Sequence, residues 1–219
     1  MTESTPSTRV MLIRHGETDW NAEGRWQGHA PVPLNTTGHA QAEALAKYLA
    51  KYLAKNDTRF DVLYSSDCKR AVQTAEKITT ALDLPLNLDE RLREVDLGQW
   101  QGMTRAEAEA WDGERFAAFS ADWYTVSIPD GESRNELKTR MRAAFEDITE
   151  RHPGQHIAIV SHGGSLAMLI ESLFGKFDRP DFTNTSITEL EQNEVAQLWT
   201  LESLAIAPHL EKAPRGETW

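Results

Sequence analysis

Three short apolar runs, each followed by a polar turn and an amphipathic helix, constrain the fold more than any other feature of this chain. The runs cover residues 10–13, 62–64 and 157–160. After each run, apolar residues recur at the i, i+3, i+4, i+7 spacing of a helix that buries one face. Parallel strands require a long crossover between them, which is usually helical. We therefore expect an α/β sheet whose central strands run parallel.

Reactive side chains follow all three runs. Arg14 and His15 come directly after the first run, His162 follows the third, and Arg70 lies just beyond the turn after the second. Ligands of open α/β sheets bind in the crevice outside the carboxyl ends of the strands. If the three strands are adjacent, two arginines and two histidines meet at one edge of the sheet.

This combination of residues favours a site for a phosphoryl dianion. Arginines bind its oxygens in a bidentate manner, and helix N-termini add amide donors. No cluster of carboxylates suited to Mg²⁺ accompanies them. Histidine in such a site indicates covalent catalysis, and nearby arginines lower a histidine pKa and keep it neutral. Glu94 and Asp96 are the candidate proton donors, since partial burial beside a phosphate raises a carboxyl pKa.

The remaining segments predict one domain over residues 9–207 with mobile tails at 1–8 and 208–219. Residues 18–37 form a long loop, Thr37 is the N-cap of the first long helix, and residues 84–88 are a third strand. Short helices within residues 103–135 form a cap over the site. Residues 186–190 and 195–201 are expected to pair as a hairpin at the sheet edge.

Composition excludes several classes of function. The net charge of −11 speaks against a nucleic-acid surface, which requires a basic stripe. No run approaches the roughly 20 apolar residues of a membrane span. A single cysteine, Cys68, excludes an internal disulfide and fits a reducing compartment. The first nine residues have no apolar core of a signal peptide, so we expect a cytoplasmic protein.

Four sequence blocks together resemble a known family. They cover residues 12–21, 65–75, 92–102 and 161–164, and they contain Arg14-His15-Gly16 and His162-Gly163-Gly164. These blocks look like the signatures of the histidine phosphatase superfamily, the phosphoglycerate-mutase-like proteins, and in particular its shorter broad-specificity phosphatases. The resemblance implies a three-layer α/β fold with a mixed, mostly parallel sheet and helices on both faces.

The same resemblance implies a role for individual residues. His15 would be the phosphorylated nucleophile, and Glu94 the proton donor that later activates water. The phosphate clamp would consist of Arg14, Arg70 and His162. Further substrate contacts would come from Thr18, Asn21, Gln27 and the amide of Gly163. The family needs neither a metal nor another cofactor, and the expected partner is a small phosphomonoester bound by a monomer or homodimer.

Three functions stay open at this stage. A phosphohydrolase is favoured over a cofactor-dependent phosphoglycerate mutase, because residues 103–135 contain three basic and seven acidic side chains. A cap with this net negative charge should repel a bisphosphate. A phosphate-binding protein without turnover is the third alternative.

Other conspicuous side chains favour structural roles. Asp96 is expected to stabilise its loop, and Cys68 to be structural. The scattered histidines at 29, 39, 152, 156 and 209 are expected to face solvent or cap helices. The aromatic residues of the cap either contact the substrate or pack the cap on the sheet; they are Trp111, Phe116, Phe119, Trp123 and Tyr124.

Overall fold

The computed structural model describes residues 7–193 and 198–210. Helices and strands alternate over most of this length. In chain order they are β1 (Arg9–Arg14), α1 (Asp19–Ala22), α2 (Thr36–Lys55), β2 (Val62–Ser65), α3 (Lys69–Leu82), β3 (Leu86–Leu88), α4 (Arg105–Trp111), α5 (Gly113–Ala121), α6 (Arg134–Arg151), β4 (His156–Ser161), α7 (Gly163–Phe174), β5 (Ile187–Gln192) and β6 (Trp199–Ile206). Short 3₁₀ helices cover Glu90–Leu92, Gly98–Trp100 and Pro208–Leu210. In the described part of the chain, no helix is long and apolar enough to cross a membrane.

The strands form one sheet in the order β3-β2-β4-β1-β5-β6. The first four strands of that order pair in parallel, and β5 and β6 join antiparallel to them. The three runs that the sequence predicts as parallel strands are therefore the central neighbours β2, β4 and β1. The prediction of a mixed, mostly parallel sheet is confirmed.

Alternation along the central strands creates a core on each face of the sheet. Met11 and Ile13 of β1 pack with Leu45 and Leu49 of α2 and with residues of α3. Val10 and Leu12 point to the other face, whose cluster contains residues of α6 and α7. Successive side chains of a strand point to opposite faces, so a fully apolar strand requires helices on both.

Several boundaries differ from the sequence prediction. Helix α2 begins at Thr36 with Asn35 as its N-cap, whose side chain accepts from the amide of Gly38 at 2.8 Å. Asn35 is thus the cap in place of Thr37, because it is the residue with extended backbone. The predicted loop 18–37 contains the short helix α1, and the third strand is shorter than residues 84–88.

The described residues next to the predicted tails make defined contacts. Thr8 is buried, its hydroxyl accepts from the amide of Gly154, and its carbonyl accepts from the amide of Gln192. Residues 208–210 form a 3₁₀ helix in which His209 contacts Thr185. Residues 1–6 and 211–219 lie outside the described residues. The predicted hairpin exists as β5 and β6. The predicted start of its second strand, Val195, lies outside the described residues.

A close backbone contact fixes the loop after His15 on helix α2. A Cβ built on Gly38 would lie 2.0 Å from the carbonyl oxygen of Glu17, and one on Gly16 would lie 2.6 Å from the carbonyl oxygen of Gly38. Only residues without a Cβ allow the two segments to approach so closely. The two glycines thereby allow the loop that follows β1 to pack directly against α2.

We expect the substitution Gly38→Ala to destabilise the protein by about 2 kcal/mol or more, because the new methyl group would meet backbone that cannot move aside cheaply. Urea denaturation measures the free energy of unfolding. Gly113→Ala is the matched control, since a Cβ at the start of α5 has nothing within 4 Å. Equal stability of the two variants would contradict the proposed contact.

Candidate active site

The register of the central strands brings the predicted site residues together. Arg14 is the partner of Ser161, and Ser65 is the partner of Val160, so β1, β4 and β2 end at the same level. The residues that follow β1 and β4 are His15 and His162. Their ring centroids are 5.1 Å apart, and both side chains are buried.

The hydrogen bonds of His15 determine its tautomer. Its Nδ1 lies 2.6 Å from the carbonyl oxygen of Gly16, which can only accept, so Nδ1 carries the proton. Nε2 is then the unprotonated nitrogen, and its lone pair accepts a hydrogen bond from Nε of Arg70 at 3.3 Å. Burial, followed by the charges of Arg70 and Arg14, holds the pKa of His15 well below its ordinary value. The imidazole is therefore neutral near pH 7 and presents Nε2 as a nucleophile.

Arg70 is a buried guanidinium fixed by the chain on several sides. It is the second residue of α3 and only 1% exposed. Its Nη1 donates to the carbonyl of Ala30 at 3.0 Å, and its Nη2 donates to the carbonyl of Gly28 at 2.8 Å. Arg70 thus connects the loop after α1 to His15 and places a positive charge beside the nucleophilic nitrogen.

Several buried polar atoms at this edge of the sheet have no hydrogen-bond partner. Among the described residues they include Nε of Arg14 and Nδ1 of His162. Nε2 of His162 lies 2.9 Å from the Ser66 hydroxyl, and Nη1 of Arg14 donates to the Phe182 carbonyl, so both side chains are held in place by their other atoms. Since buried polar groups are normally satisfied, these atoms indicate a site for a polar ligand.

Glu94 lies against the N-terminus of α7. Its carboxylate accepts from the amides of Val95 and Gly164, each at 2.9 Å, and from the hydroxyl of Ser165 at 3.1 Å. Burial by itself raises its pKa, but the charge of Arg134, the two amides and the charge of Arg70 outweigh burial and lower it. The raised pKa expected from the sequence therefore does not hold in the ligand-free protein, because Arg134 was not expected there.

The loop that carries Glu94 is held by charged side chains on both sides. Arg140 of α6 donates to the carbonyls of residues 91, 93 and 94 and pairs with Glu132. Arg93 pairs with Asp67, with an Nε to Oδ1 distance of 2.7 Å. Asp96 accepts from the amide of Gly98 at 3.0 Å, which confirms its predicted role in stabilising the loop.

The predicted substrate-binding residues divide into two groups. Thr18 is fully buried and its hydroxyl caps helix α1, where Thr18 and Asn21 bond reciprocally. Asn21 uses Oδ1 for this cap, so its amide nitrogen is available to an anion. Gln27 is buried with Oε1 unpartnered, and Gly163 is the first residue of α7 beside Arg14. Thr18 therefore supports Asn21, and substrate contacts of Asn21, Gln27 and Gly163 stay predictions.

Two residues at the site were missed by sequence reasoning. Nδ2 of Asn184 donates to the carbonyl of His15 at 3.1 Å and to Oδ1 of Asn21 at 3.3 Å. Arg134, counted from the sequence only as a cation of the cap, is the charge that most lowers the pKa of Glu94. Neither residue follows a predicted strand. The one available sequence signal is that Arg134 is an arginine in a mostly acidic segment.

The aromatic residues of the cap have different roles. Phe116 and Phe119 pack against the buried Trp100, with centroid distances of 5.8 and 5.2 Å, and so attach the cap to the core. Trp111 is half exposed, and the Tyr124 hydroxyl donates to Glu171. Trp123 is the aromatic residue beside Arg134, at 5.2 Å from ring centroid to guanidinium carbon.

The assembled site can hold a tetrahedral oxyanion against a neutral imidazole. Arg70 contacts Nε2 of His15, and the ring of His162 lies 5.1 Å from that of His15. Arg14 lies against the N-terminus of α7, and the carboxylate of Glu94 accepts from an amide of the same helix start. Such donors stabilise the charge of a phosphoryl group during transfer. Over residues 7–193 and 198–210, no group of three or more His, Cys, Asp or Glu side chains has the arrangement of a metal site.

Comparisons with known proteins agree with this geometry. Residues 10–206 match the family described as histidine phosphatase superfamily, branch 1. The phosphoglycerate mutase-like protein 4 of Arabidopsis thaliana is 35% identical over 96% of this chain and 90% of its own length. The metal-independent phosphoserine phosphatase of the same plant is 33% identical over 93% and 83%. The solved structure of Bacillus stearothermophilus YhfR superposes with a TM-score of 0.83 at 31% identity, covering 93% of this chain and 100% of YhfR.

We expect Arg70→Lys to lower the free energy of unfolding by about 3 kcal/mol and to weaken orthovanadate binding at least about tenfold, because lysine cannot satisfy two carbonyls and reach His15 at once. Urea denaturation and calorimetric titration measure the two effects. Arg151→Lys, an exposed change at the end of α6, is the control. Retention of both properties in Arg70→Lys would argue against Arg70 as part of the clamp.

Proposed function

The chain belongs to the histidine phosphatase superfamily, and from this we propose that it is a metal-independent phosphomonoester hydrolase that works through a phosphohistidine on His15. One observation carries the proposal: a neutral imidazole, with its Nδ1 proton engaged by Gly16, presents Nε2 among buried donors that lack partners. The family match and the metal-independent phosphatase among the relatives support it.

In the first step, Nε2 of His15 attacks the phosphorus atom of the ester. The bond between phosphorus and the ester oxygen breaks, and its electron pair goes to the leaving oxygen. The imidazole becomes positively charged, and the Nδ1 hydrogen bond to the Gly16 carbonyl stabilises that charge. Arg14, Arg70 and His162 bind the phosphoryl oxygens while they pass through the transition state.

The leaving oxygen requires a proton, for which Glu94 is the proposed donor. In the free protein, however, the lowered pKa of Glu94 keeps it ionised at neutral pH. A bound phosphate dianion adds two negative charges beside the arginines that stabilise the carboxylate. Its field raises the pKa of Glu94, so the carboxyl group takes up its proton together with the substrate.

In the second step, water replaces the alcohol. The Glu94 carboxylate accepts a proton from water as the water oxygen bonds to phosphorus, and the bond to Nε2 of His15 breaks. Phosphate leaves, and His15 recovers its lone pair. The same carboxyl group thus acts as an acid and then as a base, so the cycle closes without any other proton carrier.

Phosphoryl transfer between two hydroxyls is the second candidate, favoured by the similarity to a phosphoglycerate mutase-like protein. A mutase retains the phosphohistidine until a second hydroxyl accepts it, whereas a hydrolase admits water. Conversion of 3-phosphoglycerate to 2-phosphoglycerate in the presence of 2,3-bisphosphoglycerate, compared with phosphate release, distinguishes them.

We expect His15→Ala to reduce the turnover of p-nitrophenyl phosphate by at least about 10⁴-fold, because no other group provides the nucleophile. Wild-type protein quenched without acid should contain one phosphoryl group on His15, detected by peptide mass spectrometry. His152→Ala is the control, since His152 precedes β4 at the opposite edge of the sheet. An active His15→Ala variant would refute covalent catalysis at His15.

We expect Glu94→Gln to slow the first step only for substrates with poor leaving groups, and to slow the second step for all substrates. Release of p-nitrophenolate, which needs no proton, should show a rapid burst followed by slow turnover, whereas hydrolysis of glycerol 3-phosphate should lose its first step as well. In wild-type protein, the rate on glycerol 3-phosphate relative to p-nitrophenyl phosphate should fall as pH rises, because Glu94 loses its proton. Equal losses on both substrates in single-turnover experiments would rule out Glu94 as the acid.

A further inference from the structure

Thr185 has a backbone conformation that its residue type rarely adopts. Its φ of +61° lies in the left-handed region, and among the described residues it is the one β-branched residue with a positive φ. The residue is fully buried in the segment between α7 and β5. Left-handed backbone is unfavourable for a β-branched residue, and it persists only where the surrounding structure imposes it. The contacts of Thr185 must therefore hold it in this conformation.

His209, in the 3₁₀ helix Pro208–Leu210, supplies one of these contacts. Its Nε2 lies 2.8 Å from Oγ1 of Thr185, and Oγ1 donates to the carbonyl of Asn184 at 2.7 Å. Because the hydroxyl has a single hydrogen, Nε2 of His209 is the donor to Oγ1. Nδ1 of His209 then carries only a lone pair, which agrees with its being buried without a hydrogen-bond partner. Burial lowers the pKa of His209 to about 4, so the donor is a neutral imidazole at pH 7.

Packing against helix α2 keeps His209 in place. The centroid of its ring lies 5.9 Å from that of Tyr48, which itself packs against the core between α2 and the sheet. His209 is thus fixed by its ring on one side and can direct Nε2 at Thr185 on the other. An aromatic residue without a ring N–H would keep the packing and lose the hydrogen bond.

The backbone around Thr185 pairs with the end of β1 and the nucleophile. The amide of Thr185 donates to the carbonyls of Arg14 and His15, at 3.1 and 3.2 Å. The amide of Arg14 donates in turn to the carbonyl of Ser186 at 3.1 Å. Since φ and ψ of Thr185 determine where its amide and the next carbonyl point, the left-handed turn allows all three hydrogen bonds to form at once.

Asn184, the residue before Thr185, extends these contacts to the predicted phosphate site. Its Nδ2 donates to the carbonyl of His15 at 3.1 Å and to Oδ1 of Asn21 at 3.3 Å. Its own carbonyl accepts from the hydroxyl of Thr185. A change of backbone conformation at Thr185 would therefore displace Asn184, and with it the backbone of His15 and the side chain of Asn21.

We propose that His209 is a positioning residue for the nucleophile: its hydrogen bond to Thr185 holds the left-handed turn that aligns His15. This inference rests on the proposed function, because it adds His209 to the same site. No proton or phosphoryl group passes through His209. Its loss should slow the attack by Nε2 of His15 and leave phosphate binding nearly unchanged, because Arg70 is held independently by carbonyls of residues 28 and 30.

The first test compares two substitutions of His209. His209→Phe keeps a ring against Tyr48 without a donor, whereas His209→Gln provides an amide N–H in place of the imidazole N–H. In single-turnover release of p-nitrophenolate, the rate should fall at least about tenfold in His209→Phe, as expected for a lost hydrogen bond on a strained turn. His209→Gln should stay within about threefold of wild type, and calorimetry should show phosphate affinity changed less than about threefold in both variants.

The second test removes the hydroxyl of Thr185 with and without the backbone strain. Thr185→Val is β-branched and has no acceptor for His209, so its single-turnover rate should fall about tenfold, as in His209→Phe. Thr185→Gly also lacks the hydroxyl, but glycine adopts a positive φ without penalty, so its rate should stay within about threefold of wild type. This pair decides the question even where His209→Phe does not fold, and urea denaturation measures the stability of every variant.

Three results would overturn the positioning role of His209 and leave the hydrolase intact. They are a wild-type single-turnover rate in His209→Phe, equal losses in His209→Phe and His209→Gln, and equal losses in Thr185→Val and Thr185→Gly. A fall in phosphate affinity as large as the fall in rate would overturn it too, because it would indicate damage to the whole site. Wild-type protein without turnover of p-nitrophenyl phosphate would instead refute the proposed hydrolase.

Discussion

The parallel pairing of β1 with β4, and of β4 with β2, is the constraint on which the rest of the structure depends. It aligns Arg14 with Ser161, so the residues that follow, His15 and His162, face each other at 5.1 Å. A shift by one residue would turn every side chain of a strand to the other face. Because both faces of the central strands are buried under helices, the two cores stabilise this register. The register in turn fixes the relative positions of the site residues.

The site concentrates positive charge in a chain whose net charge is −11. Arg14 and Arg70 lie beside two neutral histidines, and these two arginines and Arg134 all interact with the carboxylate of Glu94. Desolvated cations of one sign repel each other, which makes the empty site costly and a bound dianion favourable. Besides burial, the charges of Arg70 and Arg14 lower the pKa of His15, and the charges of Arg134 and Arg70 lower the pKa of Glu94. Ligand binding and proton uptake are therefore coupled through one set of charges.

Most of the fold could be predicted from the sequence because its signals are local. Apolar runs and helical spacing indicated the central parallel strands and their crossover helices, and the residues after the strands indicated the clamp. The errors arose where capping chemistry decides: Asn35 in place of Thr37 is the N-cap of α2, and Thr18 caps α1 within the segment predicted as a loop. Several neighbouring residues can cap a helix equally well by type, and the backbone path selects one of them.

The sequence by itself predicted the groups that meet at the edge of the sheet: His15, the arginines and the histidine proposed as its clamp, and the carboxyl group of Glu94. Only the tertiary structure decided what surrounds Glu94. Arg134 and Asn184 come from segments without a strand-end signal, and long-range packing brings them to the site. The physical reason is that electrostatic fields depend on distance in space, whereas sequence patterns report the period of a helix or strand. The protonation of Glu94 is therefore a property of the folded chain.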